Sequence, residues 1–321
     1  MKVVVTGCSG FIGYNLTKNL LIGGAEVLGI DNYNEGHYIK TKKERTKFLK
    51  EFPNFKFHDI DITKDPFPKD FKKADFTIHL AAKDFYYEDV EQRYSEYIEQ
   101  NVVGTSRVFE YSRELGVKKF IFTSTHSVYG NTKKEILTEK KIVPRPVSPH
   151  GASKLSAEHA VSFLSRTYKV PAIILRVSTV YGPGMLEHQV IPTWIQNIYK
   201  GKNLPLHVSP NTTRDFVYID DVVKAIRQCF NKRLTFQTIN IASGESYSIK
   251  EVADEISKIL NKDHKKIKYE KSKKDHIDKV TSDNVNLSIS RAKKLLGYKP
   301  EYTFQEGLEK TIAWYFENKK I

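Results

Sequence analysis

Cysteine is nearly absent: Cys8 and Cys229 are the only two in 321 residues, and neither has a second Cys or a His at zinc-ligand spacing. A disulfide framework and a structural zinc site are therefore excluded, no metal is expected, and both read as reduced core thiols. Long apolar runs are also missing. Runs such as Val3 to Val5 and Ala172 to Leu175 are short, far below the ~20 residues a spanning helix needs. Met1 and Lys2 lead straight into the first of these runs, leaving no room for a cleavable leader, so a cytoplasmic location is expected. The 17 Gly and 12 Pro are scattered, and no repeat or low-complexity tract occurs. Fibre, solenoid and disordered classes fall away with them.

Acidic residues are the minority, 38 Asp and Glu against 52 Lys and Arg, for a net charge of +14. The excess lies mainly in Lys40 to Lys50 and Lys262 to Lys279, each with a single aromatic, Phe48 and Tyr269, rather than an interleaved set for stacking. Solvated lysine faces are the expected reading, followed by a field that draws in a small polyanionic substrate; nucleic acid comes last.

What is present is an alternation. Val3 to Val5 is a β-branched run, Thr6 to Gly13 is turn-rich, and Phe11, Leu16, Leu20 and Leu21 recur at helical spacing. Further strand patterns fall near Glu26 to Ile30, Phe55 to Phe57, Phe76 to Leu80, Lys119 to Thr123, Ala172 to Leu175 and Thr238 to Ile241. Helical stretches separate most of them, which predicts an α/β fold of Rossmann type: a doubly wound parallel sheet with a smaller C-terminal substrate-binding lobe. Ser148 to Lys169 reads as a long helix entered through Ser-Pro, with Pro171 after its end. Residues 1–176 with about 213–243 are expected to hold a dinucleotide, and about 177–212 with 244–321 to form the lobe.

Gly7, Gly10 and Gly13 stand between the first strand and first helix. Glycine there lets backbone approach a pyrophosphate at a helix N-terminus, where free N–H groups favour anions. Asp31 follows 18 residues after Gly13, placed to accept from a ribose 2′-hydroxyl and to repel a 2′-phosphate. NAD is the expected cofactor, favoured over NADP.

Thr6-Gly7-Cys8-Ser9-Gly10-Phe11-Ile12-Gly13, His79-Leu80-Ala81-Ala82, Asn101-Val102-Val103-Gly104-Thr105, Val128-Tyr129-Gly130, Val180-Tyr181-Gly182-Pro183 and Arg214-Asp215-Phe216-Val217-Tyr218 together resemble the extended short-chain dehydrogenase/reductase family, the sugar-nucleotide epimerases and dehydratases. The likeness covers nearly the whole chain. Asp31-Asn32-Tyr33-Asn34 before a Lys/Arg-rich helix is similar to the UDP-glucose and UDP-glucuronate 4-epimerases. The resemblance implies NAD, a nucleotide-sugar substrate, no nucleic acid or membrane partner, and a homodimer through the helices from Ser95 to Leu115 and from Ala152 to Tyr168. It also implies cofactor contacts from Gly7, Gly10, Phe11, Ile12, Gly13, Asp31, Asn32, Asp61, Ile62, Leu80, Ala81, Ala82, Lys83, Asn101 and Lys154, with Asp61 and Ile62 at adenine. Lys83, Thr125, Thr179, Val190 and Arg214 would meet the substrate, Arg214 at the diphosphate. Packing is the competing reading for Val190-Ile191-Pro192.

Three departures from the family pattern stand out. The Tyr-x-x-x-Lys signature reads His150-Gly151-Ala152-Ser153-Lys154. Spacing i to i+4 keeps both side chains on one helix face, and imidazole is mostly a neutral base at pH 7. Protonation beside Lys154 would be disfavoured by like charge, so a depressed His150 pKa is expected. His126-Ser127 replaces the Asp-Glu pair by which dehydratases of the family handle protons; His126 is either an acid/base group or simply packed near the strand end. Lys271 to Lys279 stands where relatives often carry Pro-x-Arg-x-Gly-Asp, and only His188 could substitute, weakly, for a uronate-binding arginine.

The expected catalytic set is Thr125, His126, His150 and Lys154. The leading expectation is an NAD-dependent sugar-nucleotide 4-epimerase working through a transient 4-keto sugar, on a UDP-sugar. A dehydratase or atypical oxidoreductase using His126 and His150 is the enzyme alternative. A non-catalytic NAD- or nucleotide-sugar-binding protein is the alternative of another class.

Overall fold

The computed structural model describes residues 1–34, 38–84, 93–131, 136–140, 143–187, 189–206, 208–262, 269–271 and 284–318. His188 and the basic stretch 272–279 lie outside the described residues. The strands are β1 (Lys2–Thr6), β2 (Glu26–Asp31), β3 (Phe55–Asp59), β4 (Phe76–His79), β5 (Lys119–Thr125), β6 (Ala172–Val177), β7 (Thr179–Tyr181), β8 (Leu204–Leu206), β9 (Thr213–Tyr218), β10 (Phe236–Ile241), β11 (Ser246–Ser248) and β12 (Tyr269–Lys271). The helices are α1 (Phe11–Ile22), α2 (Ile39–Leu49), α3 (Tyr94–Ile98), α4 (Gly104–Glu114), α5 (Pro149–Tyr168), α6 (Val190–Tyr199), α7 (Ile219–Gln228), α8 (Ile249–Ile259), α9 (Ser290–Leu296) and α10 (Phe304–Glu317).

Seven strands form one sheet in the order β10-β6-β5-β4-β1-β2-β3, every neighbouring pair parallel. These are the seven the alternation picks out. Side chains two apart on a strand share a face, and β1 shows the consequence: Val3 and Val5 join one buried cluster while Val4 joins the other. The second cluster includes Val108 and Phe109 of α4 and Ala157 and Val161 of α5. The first carries α1, α7 and most C-terminal elements. Strand order reverses between β1 and β4, so the crevice where such sheets bind ligands opens beyond Thr6 and His79.

A second sheet, β11-β9-β7, and a β12-β8 pair form beside the main one. Helix α5 begins where Ser-Pro predicts: Ser148 accepts from Gly151 N at 3.0 Å, Pro149 occupies the first turn, and Lys169 ends the helix left-handed at φ 55°. Between α3 and α4 the helix passes through a π turn, Glu99–Val103. Its extra residue carries Asn101 inward, 1% exposed.

Candidate active site

The loop after β1 is shaped by contacts that leave no room for side chains. Gly7 has φ +71°, and a Cβ there would sit 2.7 Å from Ala81 N. A Cβ on Gly13 would lie 1.9 Å from Gly7 O, so α1 starts directly on the loop. Gly10 caps that helix without a side chain, and the first N–H groups of a helix, here those of Phe11, Ile12 and Gly13, have no acceptor within it. Such a cradle fits the pyrophosphate of a dinucleotide.

Ser9 is fixed on three sides. Its N–H donates to Asp31 Oδ2 at 3.1 Å, its hydroxyl pairs with Thr46 at 2.7 Å, and its carbonyl accepts from Arg45 at 3.2 Å. Asp31 ends β2 as expected, and also accepts from Tyr33 N at 2.9 Å with Lys42 Nζ at 3.6 Å. A carboxylate has about four lone-pair sites, so capacity for a ribose hydroxyl remains. Arg45 corrects the expectation that Lys40 to Lys50 is only a solvated face. It is 8% exposed, lies over the Tyr14 ring, and its other nitrogen donates to Gly184 O. Burial pushes its pKa down. Lysine-rich sequence gave no hint of this, because the contacts lie in the distant segments 9 and 184.

Toward the adenine end, Asn32 accepts from Asn34 N. Asp61 accepts from the Thr63 N–H and hydroxyl at 2.9 and 2.8 Å, and Ile62 is buried against Gly104. Much of the expected adenine edge is thus engaged in its own turn and core.

Segment 80–84 spans the crevice. Leu80 and Ala81 are half-buried and donate to the Thr6 carbonyl and hydroxyl, and Ala82 follows, also half-buried. Asn101 then holds Lys83 completely: Oδ1 accepts from Lys83 N at 2.7 Å, and Nδ2 donates to Lys83 O at 3.1 Å and to Ser153 at 2.9 Å. The Lys83 ammonium itself turns to Glu96 at 3.1 Å. Beneath lies His79, which the motif named only as a neighbour. Thr105 donates to Asn101 O at 2.6 Å, so it accepts from His79 Nε2 at 2.8 Å, leaving Nδ1 to accept from Thr6 at 2.6 Å. Burial and the Lys154 charge keep this ring neutral.

His150 lies in the first turn of α5 with Nδ1 3.1 Å from Lys83 O. A carbonyl only accepts, so Nδ1 carries the proton and Nε2 keeps its lone pair. Asp84 Oδ1 is 3.7 Å from the same Nδ1; its sequence position bore no signal for this. The pKa of His150 is lowered, as expected, but burial is the main cause; Lys154 adds to it, while Asp84 and the Lys83 carbonyl oppose it. Lys154, one turn on, is 4% exposed with Nζ 4.2 Å over the Phe122 ring, and burial brings it down to about 8.

Thr125 ends β5 and caps the short turn His126–Tyr129, its Oγ accepting from Ser127 N at 3.2 Å. His126 Nδ1 lies 3.4 Å from Val177 O; burial first, then Arg214 and His150, lower it to about 4. Arg214 donates to its own strand at Thr213 O, 2.9 Å. Thr179 is half-buried in β7, and Val190 is half-buried at the start of α6, whereas Ile191 and Trp194 are fully buried core, in line with the packing reading of that run.

The model of the NAD dependent epimerase/dehydratase family matches residues 3–242. The UDP-glucuronate 4-epimerase of Thermodesulfobacterium geofontis is 33% identical, the match covering 99% of this chain and 97% of that one. The dTDP-D-glucose 4,6-dehydratase of Dictyostelium discoideum is 29% identical, over 99% of this chain and 82% of its own. Among solved structures, a Tyr-to-Phe variant of UDP-glucuronic acid 4-epimerase from Bacillus cereus, in complex with UDP-4-deoxy-4-fluoro-glucuronic acid and NAD, superposes with a TM-score of 0.90 at 29% identity, covering 99% of this chain and all of that one. With a glycine cradle that admits a pyrophosphate and nothing bulkier than hydrogen at Gly7 and Gly13, the chain belongs to the NAD-dependent epimerase/dehydratase family.

Proposed function

We propose that this protein is an NAD-dependent UDP-sugar 4-epimerase in which histidine replaces the tyrosine base. One observation carries the reading: segment 80–84 touches the nucleotide loop at Ala81 and fixes the His150 ring at Lys83, so the base faces the crevice the cofactor loop borders. The 4-epimerases among the relatives support it.

NAD, when bound, supplies the acceptor and donor of hydride at the sugar C4. Gly7, Gly10, Phe11, Ile12 and Gly13 would hold its pyrophosphate and Asp31 a ribose. His150 Nε2 takes the proton of the 4-hydroxyl and later returns it. Thr125 hydrogen-bonds the reacting oxygen, and Lys154 orients the nicotinamide ribose. Its buried charge also makes the region around His150 more positive, which stabilises developing oxyanion character on the sugar. Arg214 meets the diphosphate, letting the 4-keto sugar turn while its nucleotide stays held. Residues 1–176 with about 213–243 serve the cofactor, and about 177–212 with 244–321 the nucleotide sugar. A homodimer belongs to the same proposal. Leu164 of α5 is buried in the chain's own core, but Phe163 is 59% exposed beside it, leaving an apolar position on the face relatives use.

Proton NMR of the NAD-loaded protein with UDP-glucose, UDP-glucuronate and UDP-N-acetylglucosamine in separate tubes tests the reading. A new anomeric signal at unchanged mass is expected in one of them. A 6-deoxy methyl doublet with loss of water would instead assign a dehydratase working through His126. Bound NAD without change in any tube would leave a binding protein.

A further inference from the structure

We propose that Asp84 is the acidic partner of His150: with the Lys83 carbonyl it holds the imidazole in the Nδ1–H form and stabilises the cation formed when Nε2 takes a proton. The inference rests on the epimerase reading for its catalytic consequence, though not for its geometry.

The geometry begins with the ring. Its side chain is 12% exposed, and two oxygens lie beside its Nδ1, Lys83 O at hydrogen-bond distance, 3.1 Å, and Asp84 Oδ1 at 3.7 Å. Asn101 donates to the same Lys83 carbonyl and accepts from its N–H, so the peptide preceding Asp84 is held and the carboxylate is delivered beside the ring. Among the described residues, the other charged groups facing this place are cationic or committed elsewhere. Lys154 approaches from α5, and His126 from the turn after β5 with Arg214 behind it. Glu158, two turns along α5, is bound by Arg176 at 2.7 Å and by Ser124 at 2.6 Å. Glu96 is paired with Lys83. Asp84 acts on His126, His150 and Lys154 alike.

The exposure pattern suits the role. The Asp84 side chain is 56% exposed, so the carboxylate keeps its hydration while one oxygen lies beside a buried ring, avoiding the desolvation cost of a fully buried ion pair. A tyrosine base acquires negative charge on losing its proton and is neutral once it has accepted one. Imidazole becomes positive on accepting, and therefore calls for a neighbour that phenol does not. The arrangement has the logic of a carboxylate that orients an imidazole and answers its charge without taking the proton itself. The one bond change assigned to the pair is transfer of a proton from the sugar hydroxyl to Nε2 and its return, the electron pair of the O–H bond staying on oxygen.

The test uses the NAD-loaded protein with nitrogen-labelled histidine. The His150 resonance is identified by its disappearance in His150→Gln and titrated without sugar. Asp84→Asn is expected to lower the His150 midpoint and keep NAD affinity. In turnover, kcat should fall about tenfold and its acid limb should move to lower pH, with KM changed less than about twofold. Asp84→Glu should recover much of both. An unmoved His150 midpoint in Asp84→Asn, or a raised KM with an unmoved acid limb, overturns the assignment. If the wild-type protein converts none of the sugar nucleotides, the epimerase reading fails by itself, and the titration alone decides whether the carboxylate and imidazole are paired.

Discussion

Ser9 and Lys154 border the same crevice and are treated in opposite ways. Around Ser9 each polar group is answered: amide by Asp31, carbonyl by Arg45, hydroxyl by Thr46. Around Lys154 the side chains that can carry positive charge are buried, and burial outweighs the nearby Asp84 carboxylate, so His126 and Lys154 fall to about 4 and about 8. A satisfied polar network is rigid, which suits a cradle. Neutral imidazoles beside a lysine whose pKa is drawn toward neutrality suit proton transfer near neutral pH. The nucleotide end is built to hold, whereas the α5 end is built to respond.

The largest effect should come from the responsive end. His150→Phe is expected to lower turnover by ~10²–10⁴-fold while NAD affinity stays near wild type by calorimetry; unchanged turnover would remove His150 from the chemistry and erase the contrast. Next comes the rigid end. Gly13→Ala places a methyl 1.9 Å from Gly7 O, an overpacking cost toward the top of ~1–3 kcal/mol. NAD titration and thermal melting should show both affinity and stability falling.

A smaller effect is read in acid. His126 has its pKa lowered from 6.5 to about 4 by burial first, so between those values the unfolded chain binds a proton that the folded chain does not. That contribution to stability is complete above 6.5 and lost as pH falls toward 4. His126→Leu should flatten the loss by about 2 kcal/mol, discounted for the ring's partial exposure, and chemical denaturation at pH 4.5 and 7 compares the two. The smallest effect is assigned to Arg45→Lys, which keeps the charge but loses the planar fork reaching both Ser9 and Gly184. A loss of about 1 kcal/mol is expected, visible as a modestly weaker NAD affinity; an unchanged affinity would make the clamp dispensable.

Local patterns carried the parts of this molecule whose signals are local. The first strand, loop and helix, Asp31 at the end of β2, and α5 beginning at Ser148-Pro149 all follow from residues within a few positions of one another. The main sheet was legible for the same reason, since strands buried on both faces read as apolar runs. Arg45, Asp84 and His79 were not legible. Arg45 sits among lysines and looks solvated, and its partners are 36 and 139 residues away. Asp84 is an ordinary loop aspartate until α5 packs His150 against it. The π turn at Glu99–Val103 shifts Asn101 by a register that helical periodicity alone does not anticipate. For His150 the direction of the pKa shift followed from chemistry, but its chief cause, burial, needed the packed structure.

The Arg45 clamp also sets an order of events in biosynthesis. Residues 1–34 contain the whole glycine loop and Asp31, and Arg45 is translated soon after. Yet the guanidinium stays half-employed until Gly184 has left the ribosome. A nascent chain stopped short of that residue would own every glycine of the loop and still lack the strut that braces it from the far side. Dinucleotide capture should therefore reach its full tightness late, after more than half of the polypeptide exists, rather than with the N-terminal segment that bears its signature.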